Sequence, residues 1–465
     1  MTFVDRQKEL TVLEKEFNRK EASLVIVYGR RRVGKTALLK EFIKAKRALY
    51  FLATEESEAM NRQAFQQVAA DFLDDELLQS AQILRWEPIF KALVKEAVHQ
   101  RVVLVIDEFQ YIGKNNPAFL SVFQRIWDTL LSQSNIMVIL CGSLVSMMMS
   151  QTLRYDSPLY GRRTAQLKVC PITFSYYHEF FNTPLAKDEL IERYSITGGI
   201  PKYIEAFSTT EDIQTALENN LLNPSAFLFD EPNVLLQKEV SEIGSYFSIL
   251  RVIADGNHKI SKIAAVLQQK QSNLPRYLNV LIDLDILARE VPVTEAHPEK
   301  SKRGLYQIRD HFIRFWFQFI YPYISYIEMG RTELVMSRLQ QNFIDRQVSF
   351  VYESICQETL WDLSASGKLP GLLEKIGRWW NGSHEIDVVG LSETDKLLVL
   401  GECKFWKGPV GLNVLENLEK KAAYVDWHKQ QRKIIYVLFS IHGFSQDLQS
   451  LAKIRKIYIY CHDTC

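Results

Sequence analysis

Cysteine, net charge and long apolar runs are all scarce in this sequence of 465 residues. Six cysteines are too few and too scattered to form the disulfide framework of a small secreted domain. No apolar run is long and charge-free enough to span a bilayer, so no association with a membrane is expected. The first residues are already charged and lack the apolar core of a secretory signal, so a cytoplasmic location is expected.

An excess of positive charge is also lacking, because 56 Lys and Arg residues are balanced by 55 Asp and Glu residues. A dedicated nucleic-acid-binding protein is often more basic than this. Any contact with nucleic acid would therefore come from a local patch and would be sensitive to salt. The length is too great for one hydrophobic core and predicts about three or four domains.

A phosphate-binding loop is predicted near the N-terminus, where residues 29–36 read G-R-R-R-V-G-K-T and fit G-x-x-x-x-G-K-[ST]. The loop follows the apolar run Ser23–Tyr28, which predicts a buried strand, and precedes a helix predicted from Thr36 to Lys46. Lys35 would reach the β- and γ-phosphates of ATP, and Thr36 would ligate Mg²⁺. Backbone N–H groups of the loop would surround the phosphates. The candidates for ATP binding here are Gly29, Arg32, Val33, Gly34, Lys35 and Thr36.

An acidic pair, Asp107 and Glu108, follows the apolar run Val102–Ile106, which predicts a second buried strand. Carboxylates at the end of a buried strand are costly unless they have a partner. Asp107 would hold Mg²⁺ through water, and Glu108 would act as the catalytic residue that polarises the attacking water. This pair predicts hydrolysis of ATP as well as binding, and a strand end exposed to solvent is the alternative interpretation.

Three polar residues further along the chain are candidates for contacts with the γ-phosphate. Ser143 follows the apolar run Ile136–Cys141, at the end of a predicted strand, although a Ser at this place is also an ordinary helix N-cap. Arg162 and Arg163 are candidate arginine fingers, a device worth about 10³–10⁵ in rate where it operates. A solvated pair of arginines is the alternative.

Several segments of residues 1–240 together resemble the archaeal-type AAA+ ATPases, which are allied to the signal-transducing STAND ATPases. They are F-V-D-R-Q-K-E-L from Phe3, the phosphate loop, L-V-I-D-E-F-Q-Y, C-G-S-L-V-S-M-M, P-L-Y-G-R-R-T and G-G-I-P-K-Y. The resemblance implies an adenine pocket lined by Phe3, Val4 and Arg6, and a turn ending at Pro201 that brings a helical lid to the nucleotide. Leu144 departs from the family pattern, in which a second Ser often follows the first.

A winged helix-turn-helix is predicted in the middle of the chain. Its helices are expected at Tyr246–Asp255, Lys259–Leu267 and Leu274–Leu287, and its wing strands at Arg289–Val293 and Leu305–Ile308. Contact with DNA and a role as a hinge between domains are equally supported.

The C-terminal region carries a third set of charged residues. Asp387 lies in E-I-D-V-V-G, and Glu402 and Lys404 lie in V-L-G-E-C-K-F, on two adjacent predicted strands. Glu402 and Lys404 are two residues apart on one strand and so point to the same face. Asp387 and Glu402 would bind Mg²⁺ or Mn²⁺, Glu353 would add a carboxylate, and Lys404 would orient or deprotonate the attacking water. A cluster of ion pairs is the alternative.

The order of helix, strand, turn, strand and helix around these residues resembles the PD-(D/E)XK nucleases. The expected fold class is therefore a multidomain α/β protein with four parts. They are a P-loop AAA+ parallel sheet (1–168), a helical lid (169–240), the winged helix-turn-helix (241–325) and a restriction-endonuclease-like α/β domain (346–465).

The first functional hypothesis is an ATP-hydrolysing ATPase coupled to a metal-dependent nuclease that acts on DNA, with catalytic residues Glu108, Asp387, Glu402 and Lys404. The alternative is a STAND-like switch or adaptor whose C-terminal domain binds nucleic acid or a partner protein without cleaving it. Both hypotheses use ATP and Mg²⁺, and both leave room for a homo-oligomer.

Overall fold

The apolar runs of the N-terminal region form one five-stranded parallel sheet in the order β2-β3-β4-β1-β5. Its inner strands are buried on both faces, which is why they read as continuous apolar segments. The strands are β1 (Ser23–Tyr28), β2 (Ala48–Leu52), β3 (Val102–Asp107), β4 (Ile136–Gly142) and β5 (Ala165–Lys168).

The computed structural model describes residues 3–208 and 212–462. Its contacts divide the chain into two compact units, and the first comprises residues 1–172 with the short segments Ile200–Lys202 and Leu235–Ser241. The first eight helices are α1 (Gln7–Phe17), α2 (Lys35–Ile43), α3 (Glu58–Leu73), α4 (Glu76–Ser80), α5 (Trp86–Glu96), α6 (Gln110–Asn115), α7 (Ala118–Thr129) and α8 (Val145–Met148).

The predicted strands of this sheet are confirmed to within one residue at each end, and the expected parallel-sheet core is therefore present. The helix after the phosphate loop begins one residue earlier than predicted, at Lys35, and ends at Ile43. The helix α8 continues into a π-helical turn, Met149–Leu153. Alternate residues of β1, β3 and β4 pack against helices on one face of the sheet, where aromatic contacts join Phe65 to Trp86 and Phe90.

The remaining helices follow in chain order from the end of the first sheet. They are α9 (Phe174–Tyr177), α10 (Lys187–Thr197), α11 (Pro201–Phe207), α12 (Ile213–Asn220), α13 (Glu231–Glu239), α14 (Ile243–Ala254), α15 (Ile260–Val266), α16 (Leu274–Asp283), α17 (His311–Phe315), α18 (Ile324–Glu328), α19 (Thr332–Phe343), α20 (Ser349–Ala365), α21 (Leu412–Ala422) and α22 (Gln446–Arg455).

Three helices, α14, α15 and α16, precede a two-stranded antiparallel sheet formed by β6 (Leu287–Glu290) and β7 (Leu305–Ile308). Several ends differ from the prediction: α14 begins at Ile243 instead of Tyr246, and β6 begins at Leu287 instead of Arg289. The helix α16 ends at Asp283, because Asp285 adopts a left-handed backbone and the Ile286 N–H bonds back to Leu281. The first strand ends at Glu290 instead of Val293, because the Val293 N–H donates to the carbonyl of Arg378, 3.0 Å away.

A separate five-stranded mixed sheet lies in the C-terminal region, in the order β12-β11-β10-β9-β8. The strand β10 pairs antiparallel with β9 and parallel with β11, and the helices α20 and α21 pack against β9 and β10. The strands are β8 (Lys375–Asn381), β9 (His384–Ser392), β10 (Leu397–Lys404), β11 (Lys433–Ser440) and β12 (Tyr458–Cys461).

The register of β9 and β10 places two predicted site residues side by side. Gly401 pairs with Val388, so the next positions along the two antiparallel strands are Glu402 and Asp387. Paired residues of adjacent strands point to the same face of a sheet. Within residues 3–208 and 212–462, no helix combines the length and apolar character needed to cross a membrane.

Candidate active sites

The loop between β1 and α2 has a backbone that favours glycine at both ends. Gly29 has a φ of 152° and Gly34 a φ of 95°, values that residues with a side chain rarely adopt. A Cβ on Gly29 would also lie 2.4 Å from the carbonyl oxygen of Val169. Both glycines of the motif are therefore required by the path of the chain.

Lys35, at the start of α2, is buried beneath this loop. Its ammonium donates hydrogen bonds to the carbonyl oxygens of Gly29 and Arg30, at 2.7 and 2.8 Å. Burial is the largest influence on this group and lowers the pKa of Lys35. The predicted phosphate-binding lysine is thus held at the loop, where a charge acts strongly because water is excluded.

The two predicted Mg²⁺ ligands lie in contact, although they are far apart in sequence. The Thr36 hydroxyl donates to Oδ2 of Asp107 at 3.0 Å, and the Tyr50 hydroxyl donates to the same oxygen. Both strands that precede these residues end at one edge of the sheet. A hydroxyl and a carboxylate are hard oxygen ligands, so this pair fits Mg²⁺.

Glu108 and Ser143 are also brought together. The Ser143 hydroxyl lies 2.8 and 2.7 Å from the two oxygens of the Glu108 carboxylate, and the Ser143 N–H is 3.3 Å from one of them. The side-chain amide of Gln110 donates to the same carboxylate. Glu108 has a left-handed backbone with a φ of 54°. The carboxylate is therefore oriented by two neighbours, one of which the sequence analysis did not identify.

The predicted adenine-pocket segment is attached to the phosphate loop. The Arg6 guanidinium donates to the carbonyl oxygen of Val33 at 2.8 Å and pairs with Glu9 at 3.0 Å. Val4 is buried and Phe3 is partly buried. This contact joins two of the predicted ATP-binding residues, Arg6 and Val33.

Pro201 and the arginine pair have different surroundings. A ring carbon of Pro201 lies 3.7 Å from the place that a Cβ on Gly34 would occupy, so Pro201 borders the phosphate loop.

Arg162 forms two hydrogen bonds of 2.8 Å with the Asp128 carboxylate, and Arg163 lies over the ring of Tyr160. Arg162 would have to leave Asp128 before it could act as an arginine finger.

Glu239 is a buried carboxylate near the ATP site that no sequence pattern indicated. It lies at the end of α13 and accepts hydrogen bonds from the Val145 N–H at 3.0 Å and from the Ser146 hydroxyl at 3.1 Å. Burial raises the pKa of Glu239, and Arg30 acts in the opposite direction. The carboxylate therefore caps α8, the helix that begins two residues after Ser143.

The second candidate site, which we call the acid–lysine centre, comprises Asp387, Glu402, Lys404 and Lys421. The Lys404 ammonium lies 2.9 Å from Glu402 Oε1 and 4.0 Å from Asp387 Oδ2. Asp387 also accepts a hydrogen bond of 3.0 Å from the Cys403 N–H. The three residues predicted from the sequence are thus close together on one side of the sheet.

Lys421 completes this centre from α21. Its ammonium lies 3.2 and 3.1 Å from the two oxygens of Glu402. Lys420 and Lys421 are adjacent, and only the rotation of the helix decides which one faces the sheet, so the sequence alone leaves both as candidates for a contact with phosphate. Lys420 is exposed.

Glu353, on α20, is paired with a cation instead of joining the other two carboxylates directly. Its carboxylate lies 3.3 Å from Arg378, which also approaches Glu290 and Glu385 at 3.6 Å. Burial, reinforced by the charge of Asp387, raises the pKa of Glu353 to about 8. A metal would have to displace a proton and compete with Arg378, so Glu353 stays a weaker predicted ligand than Asp387 and Glu402.

Burial also raises the pKa of Asp387 to about 6, and the Glu402 carboxylate adds to this effect while Lys404 opposes it. For Lys404 itself, burial would lower the pKa, but Asp387 and Glu402 raise it above its ordinary value. Lys404 therefore stays protonated at neutral pH. Among residues 3–208 and 212–462, no group of three or more His, Cys, Asp or Glu side chains is arranged so that it could hold a metal ion. Two carboxylates are nevertheless sufficient for Mg²⁺ when phosphate oxygens or water complete its shell.

Comparison with known proteins identifies the family. A family model described as an ATPase domain predominantly from Archaea matches residues 3–207, and one described as archaeal and bacterial proteins of unknown function matches residues 316–423. An uncharacterised protein of Methanocaldococcus jannaschii is 34% identical over 432 residues, which cover 93% of this chain and 92% of that protein. The chain belongs to this archaeal ATPase family.

Two further proteins are similar to parts of this chain. An uncharacterised ATP-binding protein of M. jannaschii is 54% identical over 52 residues. These residues cover 10% of this chain and 88% of that protein. The Walker-type ATPase of Pyrococcus abyssi has a similar fold, with a TM-score of 0.52 and 20% identity, over 68% of this ATPase and 96% of that chain. The family model over residues 3–207 confirms the expected archaeal ATPase domain, and the structural likeness supports its fold.

Lys35→Ala should abolish ATP binding by the ATPase, because the buried ammonium at the phosphate loop is lost. Binding of a fluorescent ATP analogue measures the effect. Lys40→Ala is the matched control, because Lys40 lies on the same helix but is exposed. Wild-type binding by a folded Lys35→Ala protein would contradict the assignment.

Glu108→Gln should bind ATP normally but hydrolyse it about 10²–10⁴-fold more slowly, the usual contribution of a positioned general base. The Gln side chain can keep the hydrogen bond with Ser143 while it loses the ability to accept a proton. Binding and single-turnover hydrolysis, measured on the same preparation, separate the two effects. Loss of binding equal to that of Lys35→Ala would show that Glu108 has a different role.

Glu239→Ala should lower the free energy of unfolding by about 1 kcal/mol, the typical contribution of a helix N-cap. It should also lower kcat more than ATP affinity, because the start of α8 fixes the backbone near Ser143. Ser146→Ala is the graded control, since it removes only the hydroxyl bond and keeps the Val145 contact. Chemical denaturation and steady-state ATPase assays measure both quantities, and unchanged kcat in the Glu239 variant would limit this residue to stability.

Proposed function

We propose that this ATPase couples its nucleotide cycle to a metal-dependent nuclease of the PD-(D/E)XK type that acts on DNA. The observation that carries the proposal is the convergence of Asp387, Glu402 and Lys404 on neighbouring strands of the C-terminal sheet. Buried carboxylates beside a lysine are costly to maintain in a domain that needs only to fold. A catalytic role explains why the chain keeps them.

In the proposed nuclease, Asp387 and Glu402 would hold Mg²⁺ or Mn²⁺, because hard cations of this kind prefer carboxylate ligands. When bound, the cation would stabilise the negative charge that develops on the phosphate. Lys404 orients the attacking water or takes its proton. Lys421 keeps Glu402 in place and presents a positive charge to the phosphate.

At the ATP site, Lys35 exchanges its two loop carbonyls for oxygens of the β- and γ-phosphates. Thr36 and Asp107 would hold Mg²⁺, which would neutralise charge on the phosphates. Glu108 polarises the attacking water, and Ser143 keeps the Glu108 carboxylate oriented. Arg162 and Arg163 are the candidates for completing the site in a neighbouring copy of a homo-oligomer.

The proposal extends to the helical lid and the winged helix-turn-helix. The helices α14 to α16 with the strands β6 and β7 have the element order of a winged helix-turn-helix, and helices predominate in the proposed lid between residues 169 and 240. The wing carries Lys300, Lys302 and Arg303, which could contact phosphates. We propose that this part binds DNA or transmits the nucleotide state, in a cytoplasmic protein.

The second candidate function is a switch or adaptor that binds nucleic acid or a partner protein without cleaving it. The observation that favours it is the pair of lysines that lie on Glu402, because this carboxylate is fully neutralised by the chain itself. An ion-pair cluster of this kind can be structural. The two candidates differ in one measurable property, which is cleavage.

Asp387→Ala and Lys404→Ala should each stop cleavage of DNA in Mg²⁺ or Mn²⁺ while ATP hydrolysis stays at the wild-type rate. Cleavage is lost because Asp387→Ala removes a metal ligand and Lys404→Ala removes the group that orients or deprotonates the attacking water. Cleavage of a panel of labelled single strands, duplexes and junctions, with and without ATP, measures the effect. Lys453→Ala is the control, because Lys453 is exposed on α22.

Absence of metal-dependent cleavage by the wild-type chain on every substrate of the panel would reject the nuclease in favour of the adaptor. Cleavage that persists in both variants would reject these residues as the catalytic set.

A further inference from the structure

We propose that Trp406 forms a stacking site for an unpaired nucleobase beside the acid–lysine centre. The inference rests on the proposed action on nucleic acid and names the class of substrate: a single strand, or a duplex with unpaired bases near the cleaved phosphate. Trp406 lies two residues beyond Lys404, in the loop that leaves β10, and 47% of its surface is exposed. An indole this exposed, directly after the strand that carries the centre, is available to a ligand.

The ring of Trp406 lies close to the acid–lysine centre. The Lys404 ammonium lies 5.6 Å from the centre of the Trp406 ring and 2.9 Å from Glu402 Oε1. The ring centre is therefore at most about 8.5 Å from that carboxylate oxygen, since no separation can exceed the two distances taken together. A single nucleotide spans this distance, with its phosphate near Lys404 and its base on the indole.

The charges around Trp406 match such a ligand. Lys404 and Lys421 lie in the centre itself, and the exposed Lys407 follows the tryptophan directly. Lysines attract the phosphates of any nucleic acid, whereas an aromatic face binds bases of any sequence by stacking. The combination of a cationic track and an exposed aromatic ring is typical of proteins that bind single strands.

Base pairing decides which nucleic acids can use this site. In an intact duplex each base is already stacked between its neighbours, and extruding it costs a few kcal/mol. A single strand, a flap or a bulge offers a base without that cost. Trp406 would therefore favour cleavage next to unpaired bases and would contribute little to binding of a fully paired duplex.

The test measures binding of the full chain to two fluorescein-labelled oligonucleotides of about 20 nucleotides, longer than the roughly 4–16 nucleotides of typical single-strand sites. One is a single strand and the other is the blunt duplex of the same sequence. Ca²⁺ replaces Mg²⁺, so that the carboxylates keep a divalent cation while cleavage is suppressed, and a gel checks that the strands stay intact. Fluorescence anisotropy gives Kd for the wild type, Trp406→Ala, Trp406→Phe and Trp361→Ala. Trp361 is the matched control, because it is 43% exposed on α20 and lies outside the acid–lysine centre.

Trp406→Ala should weaken binding of the single strand by about 5- to 150-fold, the contribution of one stacked base, while Trp406→Phe keeps most of the affinity. Duplex binding should stay unchanged in both variants, and Trp361→Ala should match the wild type throughout.

Unchanged single-strand binding by Trp406→Ala, or an equal loss in Trp361→Ala, would overturn the stacking site while leaving the proposed action on nucleic acid intact. An equal loss for single strand and duplex would also overturn it, since the tryptophan would then not read unpaired bases. A wild-type chain that binds neither oligonucleotide would overturn the proposed function itself, together with this inference.

Discussion

The energetic cost of burying charge is the constraint on which both candidate sites depend. A carboxylate or ammonium removed from water must find a partner, or its charged form becomes unfavourable. The chain satisfies this requirement with its own groups: loop carbonyls for Lys35, hydroxyls for Asp107, and lysines for Glu402. These partners occupy the same atoms that phosphate or a divalent cation would use. Each site is therefore organised before any ligand binds, and ligand binding becomes an exchange of partners.

Sequence reasoning predicts the parts of these sites that depend on local order. The strand, the glycine loop and the helix around Lys35 are consecutive, and their backbone requirements are visible as residue types. The proximity of Asp387 and Glu402 follows from alternation along two neighbouring strands. Thr36 and Asp107 meet because parallel strands end at one edge of a sheet. In each case a periodicity or a topology rule connects the sequence with the geometry.

The parts that sequence reasoning misses depend on distant packing. Glu239 reaches Val145 across 94 positions, and no spacing rule connects them. The rotation of α21 decides that Lys421, and not Lys420, contacts Glu402. The pairing of Glu353 with Arg378 likewise requires the fold, as does the early end of β6, where Val293 bonds to the C-terminal sheet. These features follow from tertiary contacts that outweigh local preference.

The presence of Lys421 opposite Lys404 has a consequence for the electrical balance of the C-terminal centre. Two carboxylates and two ammonium groups leave it close to neutral at physiological pH. A divalent cation bound by Asp387 and Glu402 would change that balance to an excess of about two positive charges. This excess would lie beside the phosphates of a bound nucleic acid. In the proposed nuclease, the cation would then serve recruitment of the substrate as well as chemistry. The concentration of free divalent metal in the cell would then set how strongly this protein holds its substrate, before any bond is broken.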